Sequence, residues 1–239
     1  MGQTRLTTIA GTLFRGLRGG SYMFDRTFSD CNKLTDIPYD LFSTISLGSE
    51  GMFSYTFSGC KKLAEIPFNL FKAFSLDGAT RMFSHTFSDC TGLNFIPNLF
   101  TDIASGADYL FESTFGGCSG LADIPSGLFG TRITAGAEGM FDGTFNNCTS
   151  LINLPENLFK YITTAATNLF QDTFNHATNL SGYIPKTTFA GLISAGHPTA
   201  TGMWRRTFHQ TNIATTCPTG TSQYITGYES DWNNMVSCQ

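Results

Sequence analysis

Almost the whole chain is written in one pattern, Met/Leu-Phe-x-x-Thr-Phe-x-x-Cys-x-x-Leu-x-x-Ile-Pro-x-x-Leu-Phe. It reads MFDRTFSDCNKLTDIPYDLF from Met23, MFSYTFSGCKKLAEIPFNLF from Met52 and MFSHTFSDCTGLNFIPNLF from Met82. It returns as LFESTFGGCSGLADIPSGLF from Leu110 and MFDGTFNNCTSLINLPENLF from Met140. Two worn copies follow, LFQDTFNHATNLSGYIPKTTF from Leu169 and MWRRTFHQTNI from Met203. A fixed period of this length marks stacked repeats, in which each unit touches its neighbours and little else. Most residues are then committed to stacking, which argues against an enzyme.

The second Phe of each copy sets the register: Phe28, Phe57, Phe87, Phe115, Phe145, Phe174 and Phe208. Five of the six intervals are 28 to 30 residues long, and the last is 34. Slips of one residue are what surface loops absorb; the longest interval, around Gly196-His197-Pro198, reads as a loop insertion. Leu6, Ile9, Leu13 and Phe14 are the back half of a copy with no front half, so a longer protein upstream is expected.

Within a unit the apolar period switches. Phe53, Thr56, Phe57 and Cys60 fall at i, i+3, i+4 and i+7, the spacing of one face of a short helix. Leu63 and Ile66 follow where the chain should extend, because Pro67 disfavours helix at the residue before it. Pro67 itself suits a helix start, so Pro67 to Phe71 is expected to form a second helical turn. The sequence therefore predicts an α/β, leucine-rich-repeat-like solenoid of about seven 28–30-residue coils, each a short strand plus short helices. Residues 1–213 make this domain, with the half-repeat at 6–14, and 214–239 close it as a C-terminal cap.

Composition agrees with a stacked apolar spine: Phe occurs 23 times, yet charged residues make up only 13% of the chain. A net charge of −4 with no basic stripe excludes a typical nucleic-acid binder. No run of about 18 apolar residues is present to span a membrane. The first residues lack the apolar core and cleavage site of a signal peptide.

The seven cysteines divide into two classes. Cys31, Cys60, Cys90, Cys118 and Cys148 share one repeat position, and Ala177 takes it in the sixth copy. Replacement by a small apolar residue implies core packing, where a free thiol behaves as a small hydrophobe. Coils spaced by about 5 Å would arrange these thiols as a ladder. Distance alone does not exclude bridges between rungs, but five cannot all pair, and reduced thiols are the favoured reading. A line of ligands does not converge on a metal. Cys217 and Cys238 lie outside the period. As a disulfide they would close a loop of about 20 residues, stabilising by roughly 3 kcal/mol and implying an oxidising compartment. Two unpaired thiols are the alternative.

The stretch Thr56 to Pro67, TFSGCKKLAEIP, resembles the BspA-like class of bacterial leucine-rich repeats, whose units carry a similar Phe-x-x-Cys-x-x-Leu-x-x-Ile core ending near a proline. The resemblance covers roughly residues 6 to 213; the unit here is longer and has an extra Leu-Phe after the proline. It implies a secreted or cell-surface bacterial protein of adhesin type, and it brings no catalytic residues or cofactor.

On that likeness the short strand lines a concave face, and the variable residue just before Ile-Pro points outward. Down the stack this gives Asp36, Glu65, Phe95, Asp123, Asn153 and Tyr183. Residues one step earlier add Thr35, Ala64, Asn94, Ala122, Ile152 and Gly182. The row is either a recognition stripe for a basic or amphipathic partner or an ordinary solvated face. Aromatics such as Phe95 and Tyr183 weigh toward recognition. Asp36 and Glu65 could also hold calcium, but no Asp-rich loop supports it.

Other chemistry was sought. His85, His176, His197 and His209 lack zinc-site spacing, and His85, His176 and His209 are expected on the surface. No phosphate loop or nucleophile elbow is present. The recurrent Thr27, Thr56, Thr86, Thr114, Thr144, Thr173 and Thr207 fit a hydroxyl ladder that satisfies backbone groups. Three functions remain: a binding module for a protein or glycan partner, a structural protein joined end to end into fibres or a layer, and, least expected, an enzyme with a site in loops.

Overall fold

The computed structural model describes residues 5–71, 76–185, 187–196, 198–213, 222–224 and 236–238; for residues 76–77, 222–224 and 236–238 it describes the backbone alone. The segment expected to be a short helix is instead a ribbon of consecutive tight turns. Its backbone donors alternate in direction. In the second coil the N–H groups of Phe53, Tyr55, Phe57 and Gly59 donate to Met82, Ser84, Thr86 and Ser88 of the next coil, at 2.9, 3.0, 2.8 and 2.7 Å. The N–H groups between them, of Ser54, Thr56, Ser58 and Cys60, donate three residues back within the ribbon at 3.0–3.2 Å.

This alternation is what excludes the α-helix, whose N–H groups all bond four residues back. Every fourth residue of the ribbon must take a positive φ: Gly51, Tyr55 and Gly59 in one coil, Arg81, His85 and Asp89 in the next. A left-handed residue with a side chain costs about 1–2 kcal/mol. Asn, Asp, His and Gly tolerate it best, and they recur here as Asp30, Asp89, Gly117, Asn147 and His176. Lateral bonds to the next coil are what offset the strain.

One set of carbonyls is left over by this scheme, and the repeat motif supplies their second donors. The Phe53 carbonyl accepts from the Thr56 N–H at 3.1 Å and from the Thr86 hydroxyl of the next coil at 2.9 Å. The Phe57 carbonyl accepts from the Cys60 N–H at 3.2 Å and from the Cys90 thiol at 3.2 Å. The same pair of contacts recurs through Thr114 and Cys118, and through Thr144 and Cys148.

Three aromatic columns run through the core. One holds Phe24, Phe53, Phe83, Phe111, Phe141 and Phe170 and ends on Trp204, with successive centroids 4.8–5.9 Å apart. The second runs from Phe28 to Phe208 at 5.1–5.7 Å. The third runs from Phe14 through Phe42, Phe71, Phe100, Phe129 and Phe159 to Phe189 at 5.4–6.1 Å. Its rings meet the first column edge-on or tilted. Each buried Phe contributes about 1.5–3 kcal/mol, and favourable ring pairs add roughly 0.5–1.5 kcal/mol. The N-terminal half-repeat belongs to this stack, since Phe14 covers Phe24 at 4.7 Å.

The expected strand at Leu63–Ile66 does not form. Leu63 and Ile66 are buried while both Ala64 and Glu65 between them are exposed, which is not the alternation of a strand. Regular elements are sparse among the described residues. Strand β1 (Leu76–Asp77) pairs in parallel with β2 (Ile103–Ser105). Strand β3 (Ser181–Gly182) is followed by β4 (Ile184–Pro185) and by α1 (Ala190–Ser194), which falls in the longest interval. Strand β5 (Asn212–Ile213) pairs in parallel with β3. Strands β6 (Ser222–Tyr224) and β7 (Val236–Cys238) pair antiparallel, and β7 lies parallel to β4. The post-proline segments make single turns, such as Leu70 N–H to the Pro67 carbonyl at 3.1 Å. The rest of the expected cap, including Cys217 and the side chain of Cys238, lies outside the described residues.

Candidate binding surface

All six residues of the row, Asp36, Glu65, Phe95, Asp123, Asn153 and Tyr183, are exposed. Each stands immediately before a buried anchor: Ile37, Ile66, Ile96, Ile124, Leu154 or Ile184. The anchors fix the backbone, and the Leu-x-x-Ile spacing turns both intervening side chains to solvent. Neighbouring rungs are bridged directly at several points, from Asn94 N–H to the Ala64 carbonyl and from Ile152 N–H to the Ala122 carbonyl at 3.5 and 3.3 Å. The Ser181 N–H reaches the Ile152 carbonyl at 2.9 Å.

Carboxylates and apolar side chains share this surface, with exposed Asp123 standing between Phe95 and Ile152. Asp36 and Glu65 occupy adjacent coils at one end, and Asp36 accepts a hydrogen bond from the Thr35 hydroxyl at 2.6 Å. Phe95 follows, 57% exposed, with Ile152 at 49% and Tyr183 at 42% further on. Among the described residues no cluster of three or more His, Cys, Asp and Glu could hold a metal ion.

Cys31, Cys60, Cys90, Cys118 and Cys148 are buried and form no disulfide with one another. Burial pushes the Cys60 thiol up to about 12, and drives those of Cys90, Cys118 and Cys148 well above the ordinary range. These four thiols are therefore protonated donors to carbonyls, not nucleophiles.

The polar side of the turn ribbon was not legible in the repeat. Arg26 lies over the Tyr55 ring at 4.1 Å, and Tyr55 stacks on His85 at 4.3 Å with 4° between planes. His85 is half-buried where the sequence suggests a surface residue, and desolvation lowers its pKa. His176 is likewise half-buried, His209 is exposed, and His197 lies outside the described residues. Further along, Asp172 pairs with Arg206 at 2.6 Å, while Asp142 accepts from the Gln171 amide at 3.0 Å. Burial first, then the neighbouring Asp172 and Glu112, push the Asp142 carboxyl up to about 7. Aligning coils column by column, rather than reading each coil, would have exposed both clusters.

No protein-family model matches the chain, and no curated protein does. Among solved structures it is similar to a leucine-rich cell surface protein from Faecalibacterium prausnitzii A2-165, with 16% identity and a TM-score of 0.23 over 90% of this chain and 72% of the other. No residue role is carried across from it. No helix among the described residues is long and apolar enough to cross a membrane.

Proposed function

We propose that the chain is a non-enzymatic binding module of a bacterial cell-surface or secreted protein, an adhesin-like repeat of BspA type that engages a protein partner through the Asp36-to-Tyr183 row. The observation that carries this reading is the continuity of the row: six successive coils each present one exposed side chain from a backbone anchored by buried neighbours. Exposed aromatics set beside carboxylates suit a basic amphipathic segment, with ring burial supplying affinity and charge supplying orientation. The test is amide chemical-shift mapping with a synthetic Lys/Leu amphipathic peptide. Shifts confined to the row, weakened by salt and by Phe95→Ala, support the reading. Shifts scattered elsewhere, or none, refute it.

A second reading, end-to-end assembly into fibres or a layer, would pair the backbone groups of one terminal coil with those of another copy. Light scattering across concentration separates the two: a constant mass near 26.0 kDa fits a binding module, and growth with concentration fits assembly.

A further inference from the structure

A notch interrupts the post-proline side of the stack. The residues that follow each proline form a column of short polar side chains, Asp40, Asn69 and Asn98, resumed by Asn157. In the fourth coil Gly127 takes this place, and Gly130 takes the place of Thr101 and Lys160. Both glycines matter sterically. A Cβ at Gly127 would stand 3.1 Å from the Asn98 amide, and one at Gly130, where φ is +63°, would stand 2.7 Å from the Thr101 carbonyl oxygen. Beside these two glycines lies an open cleft of about 360 Å³, with the third coil as one wall and the fifth as the other. That volume lies at the small end of the range for small-molecule sites.

The chemistry of the walls is specific. Asn98 and Asn157 present amides from opposite sides, and Thr101 and Ser126 add hydroxyls. No hydrogen bond to another described residue occupies these four side chains. An amide and a hydroxyl each donate and accept. The half-open floor is extended by Tyr161, 38% exposed, whose ring offers an apolar face. Lys160 is the one charged group of the lining, its ammonium 5.7 Å from the Tyr161 ring centre.

We propose that this notch is a saccharide-binding site, taking one or two neutral sugar rings. A sugar ring has a rim of hydroxyls that both donate and accept, matched by paired amides and hydroxyls. Its axial C–H face suits a tyrosine ring. A phosphate would require more than one cation. The site is separated from Phe95 in the chain by the buried Ile96 and Pro97, so it does not depend on the row described above.

The test is saturation-transfer NMR and calorimetry on the full chain, with cellobiose, lactose and N,N′-diacetylchitobiose as probes. Millimolar binding of at least one is expected. Tyr161→Ala removes the platform, and Gly127→Asn, at a residue with an ordinary backbone angle, crowds the Asn98 amide of the wall. Each should weaken binding by about tenfold or more, with the fold checked by circular dichroism. Thr27→Val, at the far end of the stack, should leave it unchanged. Failure of all three sugars to bind, or binding that survives both notch variants, overturns the proposal. Binding restricted to sulfated disaccharides and abolished by Lys160→Ala also overturns it, because the recognised group would then be an anion.

Discussion

The hydroxyl ladder makes the sharpest prediction, because the chain contains its own control. Thr114 is fully buried and donates from Oγ1 to the Phe83 carbonyl at 2.8 Å. Replacing it by Val keeps the shape and removes the donor. The Phe83 carbonyl still accepts from the Thr86 N–H at 3.2 Å, so it is not left without a partner. The cost should therefore sit near the net worth of one hydrogen bond, about 1 kcal/mol, and below the roughly 1–3 kcal/mol range of a fully orphaned group's upper end. For a chain of this length that is a fall of about 2–4 °C in Tm. Thr27 occupies the same repeat position but is exposed and makes no side-chain hydrogen bond with another described residue. Thr27→Val should stay within about 0.5 kcal/mol of wild type. A double variant, Thr56→Val with Thr114→Val, should cost about twice the single change, since the sites lie two coils apart and share no partner. Urea denaturation followed by circular dichroism reads all three. Equal costs at Thr27 and Thr114, or a neutral Thr114→Val, would refute the idea that these hydroxyls satisfy the carbonyls left over by the turn ribbon.

Three further outcomes follow from the same geometry. Phe111→Ala, at the centre of the first aromatic column, should destabilise by about 3–5 kcal/mol, measured as the urea midpoint, because the stack above and below holds the cavity open. The ladder thiols Cys60, Cys90, Cys118 and Cys148 should resist a disulfide reagent at pH 8 in the native protein and react in denaturant, since buried thiols whose pKa is raised are scarcely ionised; rapid native labelling of Cys60 or Cys90 contradicts this. Asp142→Asn should flatten the pH dependence of stability. Burial pushes the folded Asp142 carboxyl up to about 7 from an ordinary value of 3.8, so its contribution is complete below about pH 4 and is lost as pH rises through 7. Allowing for screening by the solvent that still reaches it, wild type should lose about 1–2 kcal/mol between pH 5 and 8 that the Asn variant retains. An equal difference between the two proteins at both pH values would remove Asp142 as the source.

What the sequence could and could not express is visible in single positions. The apolar spacing Phe53, Phe57 and Cys60 picks out the buried face correctly, and so does the spacing Leu63 to Ile66. It assigns the wrong backbone to both. A helix and a ribbon of tight turns can each bury residues at i, i+4 and i+7, so periodicity alone does not choose between them. The discriminating signal is Gly51, Gly59, Asp89, Asn147 and His176 at a strict four-residue interval within each copy, residues that tolerate positive φ. Tyr55 and Arg81 obscure that signal, because neither is a typical left-handed residue. Likewise Leu63-Ala64-Glu65-Ile66 is not an alternating strand, and its two consecutive outward residues double the exposed row.

The Cys and Thr of the motif unite fold and surface. A helix would satisfy its own carbonyls and would need neither residue. The ribbon leaves one carbonyl per Phe with room for a second donor, and that donor must come from the following coil and must be small. Thr supplies it beside the first Phe, and Cys beside the second. In the sixth copy Ala177 keeps the volume and gives up the weak thiol donor, which the Cys148 N–H bond to the Phe145 carbonyl at 3.2 Å makes tolerable. With both backbone directions satisfied in the interior, variation is confined to columns that face solvent. There the chain can exchange Glu65 for Phe95, or Asn157 for Gly127, without disturbing the stack. Such freedom lets one backbone carry an aromatic-acidic row and, past the proline, a notch with unspent hydrogen-bonding groups.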